Sequence, residues 1–156
     1  MINVDYKGVE IADLAANLSD TFVAGRPVTI AASQIRAFSG NVKCVGLIKE
    51  SSIPGVINEL SGYLGTYGSG KGTVLMDGVA TVKAALYNGV SYNVYNQAVA
   101  YNSGDELYAD PTTGVITNIP PTGLVADGLT GARIGYVLVP PTNPANGDPM
   151  TIRVMR

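Results

Sequence analysis

From Phe22 to the C-terminus, short β-prone runs alternate with clusters of glycine, proline, asparagine and aspartate, and no long helical pattern separates them. Arg26–Ile30 (RPVTI) reads as a short strand with Pro27 near its start, where a missing N–H is tolerated. Val42–Ile48 (VKCVGLI) reads as an apolar strand interrupted by Gly46. Thr73–Met76, Asp77-Gly78 and Val79–Ala84 predict a hairpin, because Asp-Gly between two β-prone runs suits a two-residue turn with positive φ. Val90–Tyr95 and Asp105–Ala109 follow; Asp110–Gly114 then makes a turn into Val115–Asn118. Ala132–Val139 and Met150–Met155 close the chain. Eight or nine short strands at a spacing of roughly 10–18 residues predict an all-β sandwich or barrel rather than βαβ units.

The first 20 residues stand apart as an arm, leaving 21–156 as a single β domain. Ile11, Leu14, Ala15 and Leu18 fall at i, i+3, i+4 and i+7, which predicts one face of a short helix. A helix this short needs a surface to pack on, in its own domain or on a neighbouring subunit. Ile53–Leu64 mixes a helical stripe (Val56, Ile57, Leu60, Leu64) with Gly55 and Ser61-Gly62, and reads as a loop with at most a short helix. The stretch 140–149 (PPTNPANGDP) holds four of the nine prolines and reads as exposed and semi-extended.

Composition removes whole classes of function. The 156 residues suit one domain large enough for a core without metals or disulfides. No histidine is present, which excludes Ser–His–Asp and Cys–His catalysis and histidine zinc sites. The net charge is −2 with no Lys/Arg cluster, so the electrostatic footprint of a nucleic-acid binder is missing. Only 14% of residues are charged, which fits a surface partly covered in an assembly, although Gly, Asn, Ser and Thr also keep a surface wet. Cys44 is the single cysteine and reads as a small buried hydrophobe. The start MINVDYKGVEIADL lacks the basic and apolar regions of a signal peptide, and no apolar stretch is long enough to span a membrane. The expectation is a protein made in the cytosol and kept there or released by lysis.

Three groups of residues invite a chemical reading. Gly65, Gly70 and Lys71 have P-loop spacing, but Gly72 replaces the hydroxyl residue and Thr73 comes one place late. The run after Lys71 reads as a strand where a P-loop needs a helix, so no nucleotide cofactor is expected. Asp105, Glu106 and Asp110 are the only local carboxylate cluster; neighbours on a strand face opposite ways, so they read as strand-end and turn residues, and no metal is expected. Tyr87, Tyr92, Tyr95, Tyr101 and Tyr108 crowd into 22 residues among asparagines. They read either as contacts with a partner, a subunit or a sugar, or as the half-buried face of one sheet.

The order of the pieces GRPVTI, VKCVGLIKESSI, YGSGKGTVLMDGVATV, GDELYADPTTGVITN, ARIGYVLVPP and GDPMTIRVM resembles the head decoration (cement) proteins of tailed bacteriophages, over residues 22–156. The resemblance implies a compact β-barrel or β-tulip domain that stands as a trimer on the outer surface of the virion. There it would clamp neighbouring major capsid protein subunits, with no catalytic residue, cofactor, nucleic acid or membrane involved. Residues 49–72 and 140–149 exceed a minimal member of that family. The residues singled out for protein contact are Ile11, Leu14 and Leu18 of the arm, Tyr63, Tyr67 and Lys71 of the glycine-rich stretch, and Tyr92 and Tyr95. The alternative is a carbohydrate- or receptor-binding β-module of a phage particle, using segment 87–108.

Overall fold

A computed structural model describes residues 2–62, 68–122 and 131–155. The chain is nearly all β, built on one strongly curled, half-barrel antiparallel sheet. The sheet strands are β1 (Asn3–Ala15), β2 (Pro27–Ala31), β3 (Gln34–Ala37), β4 (Gly46–Ile48), β7 (Lys71–Val82), β10 (Glu106–Ala109), β11 (Ile116–Thr117), β12 (Arg133–Val139) and β13 (Met150–Val154). Two small hairpins stand off it: β5 (Ser52–Ile53) with β6 (Ile57–Asn58), and β8 (Ala85–Tyr87) with β9 (Val90–Tyr92).

The spine is β7. One edge of it carries β1 along its whole length, from Asn3↔Thr81 to Ala15↔Lys71. The other edge is shared. Leu47 and Ile48 of β4 pair with Leu75 and Val74, while Met150 to Val154 of β13 pair with Val82 back to Gly78. The sheet therefore forks at Asp77-Gly78, into a branch β4-β2-β3 and a branch β13-β12-β10-β11.

The Asp-Gly hairpin predicted at 77–78 is thus absent: the dipeptide lies inside a continuous strand. Two partners on the second edge and one on the first satisfy the backbone on both sides, which outweighs the local turn preference. Tight two-residue hairpin turns lie instead at Ala32-Ser33, with φ of 50° and 60°, between β2 and β3, and at Asn88-Gly89, with φ of 50° and 76°, between β8 and β9. Both residues of each take the positive φ that such a two-residue turn requires.

The helix predicted over 11–18 is also absent, and β1 shows why the spacing misled. Ile11 pairs with Val74 but Leu14 pairs with Gly72, so β1 inserts one extra residue there, beside Asp13 at φ 62°. A bulge of this kind places residues three apart on one face of a strand. Ile11 and Leu14 accordingly pack on the same apolar cluster, mimicking a helical i, i+3 stripe. The β7 strand carries a matching irregularity: Val9 faces Asp77 and Glu10 faces Leu75, leaving Met76 as the extra residue. Parity flips across it. Leu75 lies in one cluster with Ala80 and Val82, whereas Val74 faces the other.

Segment 53–62 is not helical; Ser52↔Asn58 and Ile53↔Ile57 make a two-rung ladder around Pro54-Gly55. The proline-rich loop is folded down rather than semi-extended. Pro144–Asn146 form a 3-10 turn that Asn143 caps by accepting from the Ala145 N–H. The loop is tied in by Ala84 N–H to Gly147 C=O at 3.0 Å and Tyr95 Oη to Asp148 C=O at 2.7 Å.

The larger core gathers Leu47, Leu75, Val82, Leu107, Ile134, Met150 and Ile152, mostly under the β13 branch but with Leu47 of β4 reaching into it. The smaller gathers Phe22, Val28, Ile35, Ile48, Leu60 and Val74 under the β4 branch. Gly46 and Gly135 mark where backbones approach too closely for a side chain. A Cβ on Gly46 would stand 2.3 Å from Leu75 O, and one on Gly135 would stand 1.8 Å from Arg153 O.

Candidate functional site

The residues singled out from the sequence divide sharply. Tyr95 is fully buried, its ring edge-on to Tyr101 with centroids 5.5 Å apart, so it is a core residue and not a surface contact. Burial pushes the Tyr95 hydroxyl up to about 12, with Asp148 adding to the effect. The same cause raises Tyr101, whose hydroxyl donates to Asn96 C=O at 2.9 Å. Tyr108 is buried too, donating to Glu106 at 2.7 Å. Tyr92 is half-buried; its ring lies 6.2 Å from that of Tyr87, and both pack on the larger core from the β8–β9 hairpin. Tyr87 also donates a short hydrogen bond to Glu59. Most of the tyrosine-rich segment is therefore spent on packing. Only Leu86, 70% exposed, and Val90 show large apolar surface on that hairpin.

Ile11 and Leu14 are half-buried against the smaller core. Leu18, just past the end of β1, is 45% exposed. Lys71 is exposed, opens β7 and pairs with Asp13 at 3.4 Å. Tyr63 and Tyr67 lie outside the described residues.

Leu18 and Lys71 share one end of the molecule. Leu18 Cδ1 comes 3.6 Å from where a Cβ on Gly70 would sit, one residue before Lys71. Leu18 also lines a shallow cavity of about 370 Å³ against the β5–β6 hairpin, with Pro54, Val56 and Ile57. Val56 is itself an exposed apolar residue. This end face, with Leu18, Pro54 and Val56 beside the Lys71–Asp13 pair, is the best-formed candidate contact surface. Sequence reasoning missed Pro54 and Val56; Pro-Gly after a short β-prone run was the signal available.

Beneath the same face lies a buried carboxylate. Glu50 is 4% exposed and accepts from Thr73 N–H and Ser61 Oγ, each at 3.3 Å. Burial raises it above the usual carboxylate range, and those hydrogen bonds partly offset the shift. Ser51 Oγ accepts from the Ala24 N–H at 2.8 Å in the same layer. The Thr73 bond fastens the segment after β4 to the spine, and the Ala24 bond ties it to the chain leading into β2.

The carboxylates 105, 106 and 110 do not converge. Asp105 accepts from Asn102 N–H and Asn118 Nδ2, Glu106 faces Tyr108 and Arg133, and Asp110 closes the Thr112–Thr113 turn. Among the described residues, no group of three or more His, Cys, Asp or Glu is placed to hold a metal ion, and no helix is long and apolar enough to cross a membrane. Lys71 leads into a strand, not the helix a P-loop requires. Cys44 is fully buried, its sulfur 3.7 Å from Gly46 O.

No family model matches the chain, and no curated protein matches it.

Proposed function

We propose that this chain is a structural virion protein that decorates a phage head and stabilises it. It would act as a trimer on the outer capsid surface, clamping neighbouring major capsid protein subunits. The observation that carries the reading is the ordered series of sequence segments from GRPVTI to GDPMTIRVM. It is supported by the way those segments become β2, β4, β7, β10, β12 and β13 of one curled sheet. It is further supported by the apolar end face of Leu18, Pro54 and Val56, which is open to a protein partner.

Clamping needs no reaction chemistry. Contacts near ~1,600 Å² each are modest alone. Engaging several subunits at once raises avidity by about 10²–10⁴-fold without new contacts.

The test is co-sedimentation of the purified protein with intact, expanded heads of a tailed phage that carries it, with light scattering for its own mass. The expected result is saturable binding by a species of three chains. Absence of binding to intact shells would remove the decoration reading, and a monomer at working concentration would remove the trimer. A Leu18→Asp/Val56→Asp double variant, still folded, is expected to bind shells at least tenfold more weakly.

A further inference from the structure

A second cavity, of about 310 Å³, opens between the β2–β3 pair and the Thr113-Gly114 turn. The chain has two phenylalanines, and both Phe22 and Phe38 line it, together with Pro27 and Val28. The charged residues of the rim are Arg26, Arg36 and Asp20. Two of these neutralise each other. Arg36 grips Asp20 through two bonds, Nε to Oδ2 at 2.7 Å and Nη2 to Oδ1 at 3.1 Å. Asp20 Oδ2 also accepts from the Ala37 N–H at 3.0 Å, which fixes the pair against the edge of β3.

Arg26 is different. Its Nε donates to the Asn93 backbone oxygen at 2.6 Å, which anchors the side chain. Among the described residues, no carboxylate forms an ion pair with it. Burial lowers its affinity for a proton, in keeping with a guanidinium drawn out of water without a counter-ion. Two cations and one anion leave the rim with one net positive charge. An arginine fork half out of water favours an oxyanion of matching geometry.

We propose that this notch binds a carboxylate borne on the acidic side chain of a partner polypeptide. One net positive charge matches a carboxylate better than a doubly charged phosphate. The apolar walls suit the methylene stem of a glutamate, and the volume leaves room for flanking peptide. The notch shares no lining residue with the Leu18 end face and does not depend on the capsid reading.

The experiment is an amide and arginine Nε chemical-shift titration of the intact protein with three probes: Ac-Gly-Glu-Gly-NH2, its Gln counterpart, and acetate. The expected result is saturable shifts at Arg26 Nε and at the Ser39 and Gly114 amides with the Glu peptide. The Gln peptide should give at least tenfold weaker effects, and Arg26→Met should abolish the Glu response. Acetate matching the peptide would keep the carboxylate chemistry but overturn its assignment to a protein side chain. Equal response to Glu and Gln peptides, or none to any probe, would overturn the proposal. The Glu/Gln comparison uses the unsubstituted protein, so it decides even where Arg26→Met fails to fold.

Discussion

The two branches that leave the β7 spine are built differently. The β13 branch is a run of longer antiparallel ladders over the larger core, with five consecutive rungs joining β13 to β7. The β4 branch hangs on two rungs to β7 and two to β2, over a small cluster, and is fastened by side chains: Glu50 to Thr73 and Asp20 to Arg36 and Ala37. The contrast teaches that backbone pairing and apolar burial hold one half, whereas the other depends on a few buried or half-buried polar contacts. The Leu18 end face lies on the polar-fastened half, and the arginine notch lies where that half meets the Thr113-Gly114 turn of the other.

The glycines at the two close approaches give the strongest way to break the comparison. Gly135→Ala drives a Cβ into Arg153 O and Gly46→Ala drives one into Leu75 O, so each is expected to cost about 4 kcal/mol or more. Gly135→Ala, the tighter clash in the branch with the larger core, is expected to lower the denaturation midpoint further. A larger loss from Gly46→Ala would reverse the ranking of the branches.

Adjacent residues on the spine sharpen it next. Leu75→Ala is expected to cost about 3 kcal/mol and Val74→Ala about 2 kcal/mol, since each is fully buried on opposite faces of β7. Native-state hydrogen exchange should show Val74→Ala loosening β2–β4 while leaving β12 and β13 protected. Uniform loosening would mean the branches unfold as one.

Titration separates them at both ends of the pH scale. On the larger core, Tyr95 ionises near 10 when unfolded and at about 12 when folded. Its contribution is full below pH 10 and is lost as pH rises toward 12. Tyr101→Phe removes the bond to Asn96 O, costs about 1 kcal/mol at neutral pH and flattens part of that alkaline loss. On the β4 branch, the bond from Arg36 holds Asp20 below its ordinary 3.8, so its contribution is present above that value and lost as pH falls through the lowered one. Asp20→Asn should flatten the acid limb of a stability–pH profile. Glu50 has the opposite sign: its raised value penalises the folded state as pH rises through it, so Glu50→Gln should flatten that part of the stability–pH profile.

The smallest effect is expected at the fork itself. Asp77 and Arg153 pair at 2.9 Å while partly exposed, so Asp77→Asn should cost about 0.5 kcal/mol by denaturant titration. A much larger loss would make the fork a point of weakness rather than a seam.

Much of the strand inventory was legible in the residues. Short β-branched runs bounded by Gly, Pro and Asp mark β2, β4, β10, β12 and β13, because local conformational preference and turn chemistry act over a few residues. The same local rules exclude the P-loop, since Thr73–Met76 is too β-prone to start a helix. The candidate site was half legible: Leu18 and Lys71 reach the end face, whereas Pro54 and Val56 went unnoticed and Tyr95 was spent on the core.

What only the tertiary structure decided is which residues share a face and which edges find partners. Asp77-Gly78 carries the local mark of a turn, yet it stays extended because β1, β4 and β13 together satisfy both edges of β7. Ile11 and Leu14 carry a helical spacing, yet a bulge brings them onto one face of a strand. Composition and local preference determined that the chain is β. Pairing between segments far apart in sequence determined where it bends, because an unpaired backbone edge buried from water costs more than a local turn preference returns.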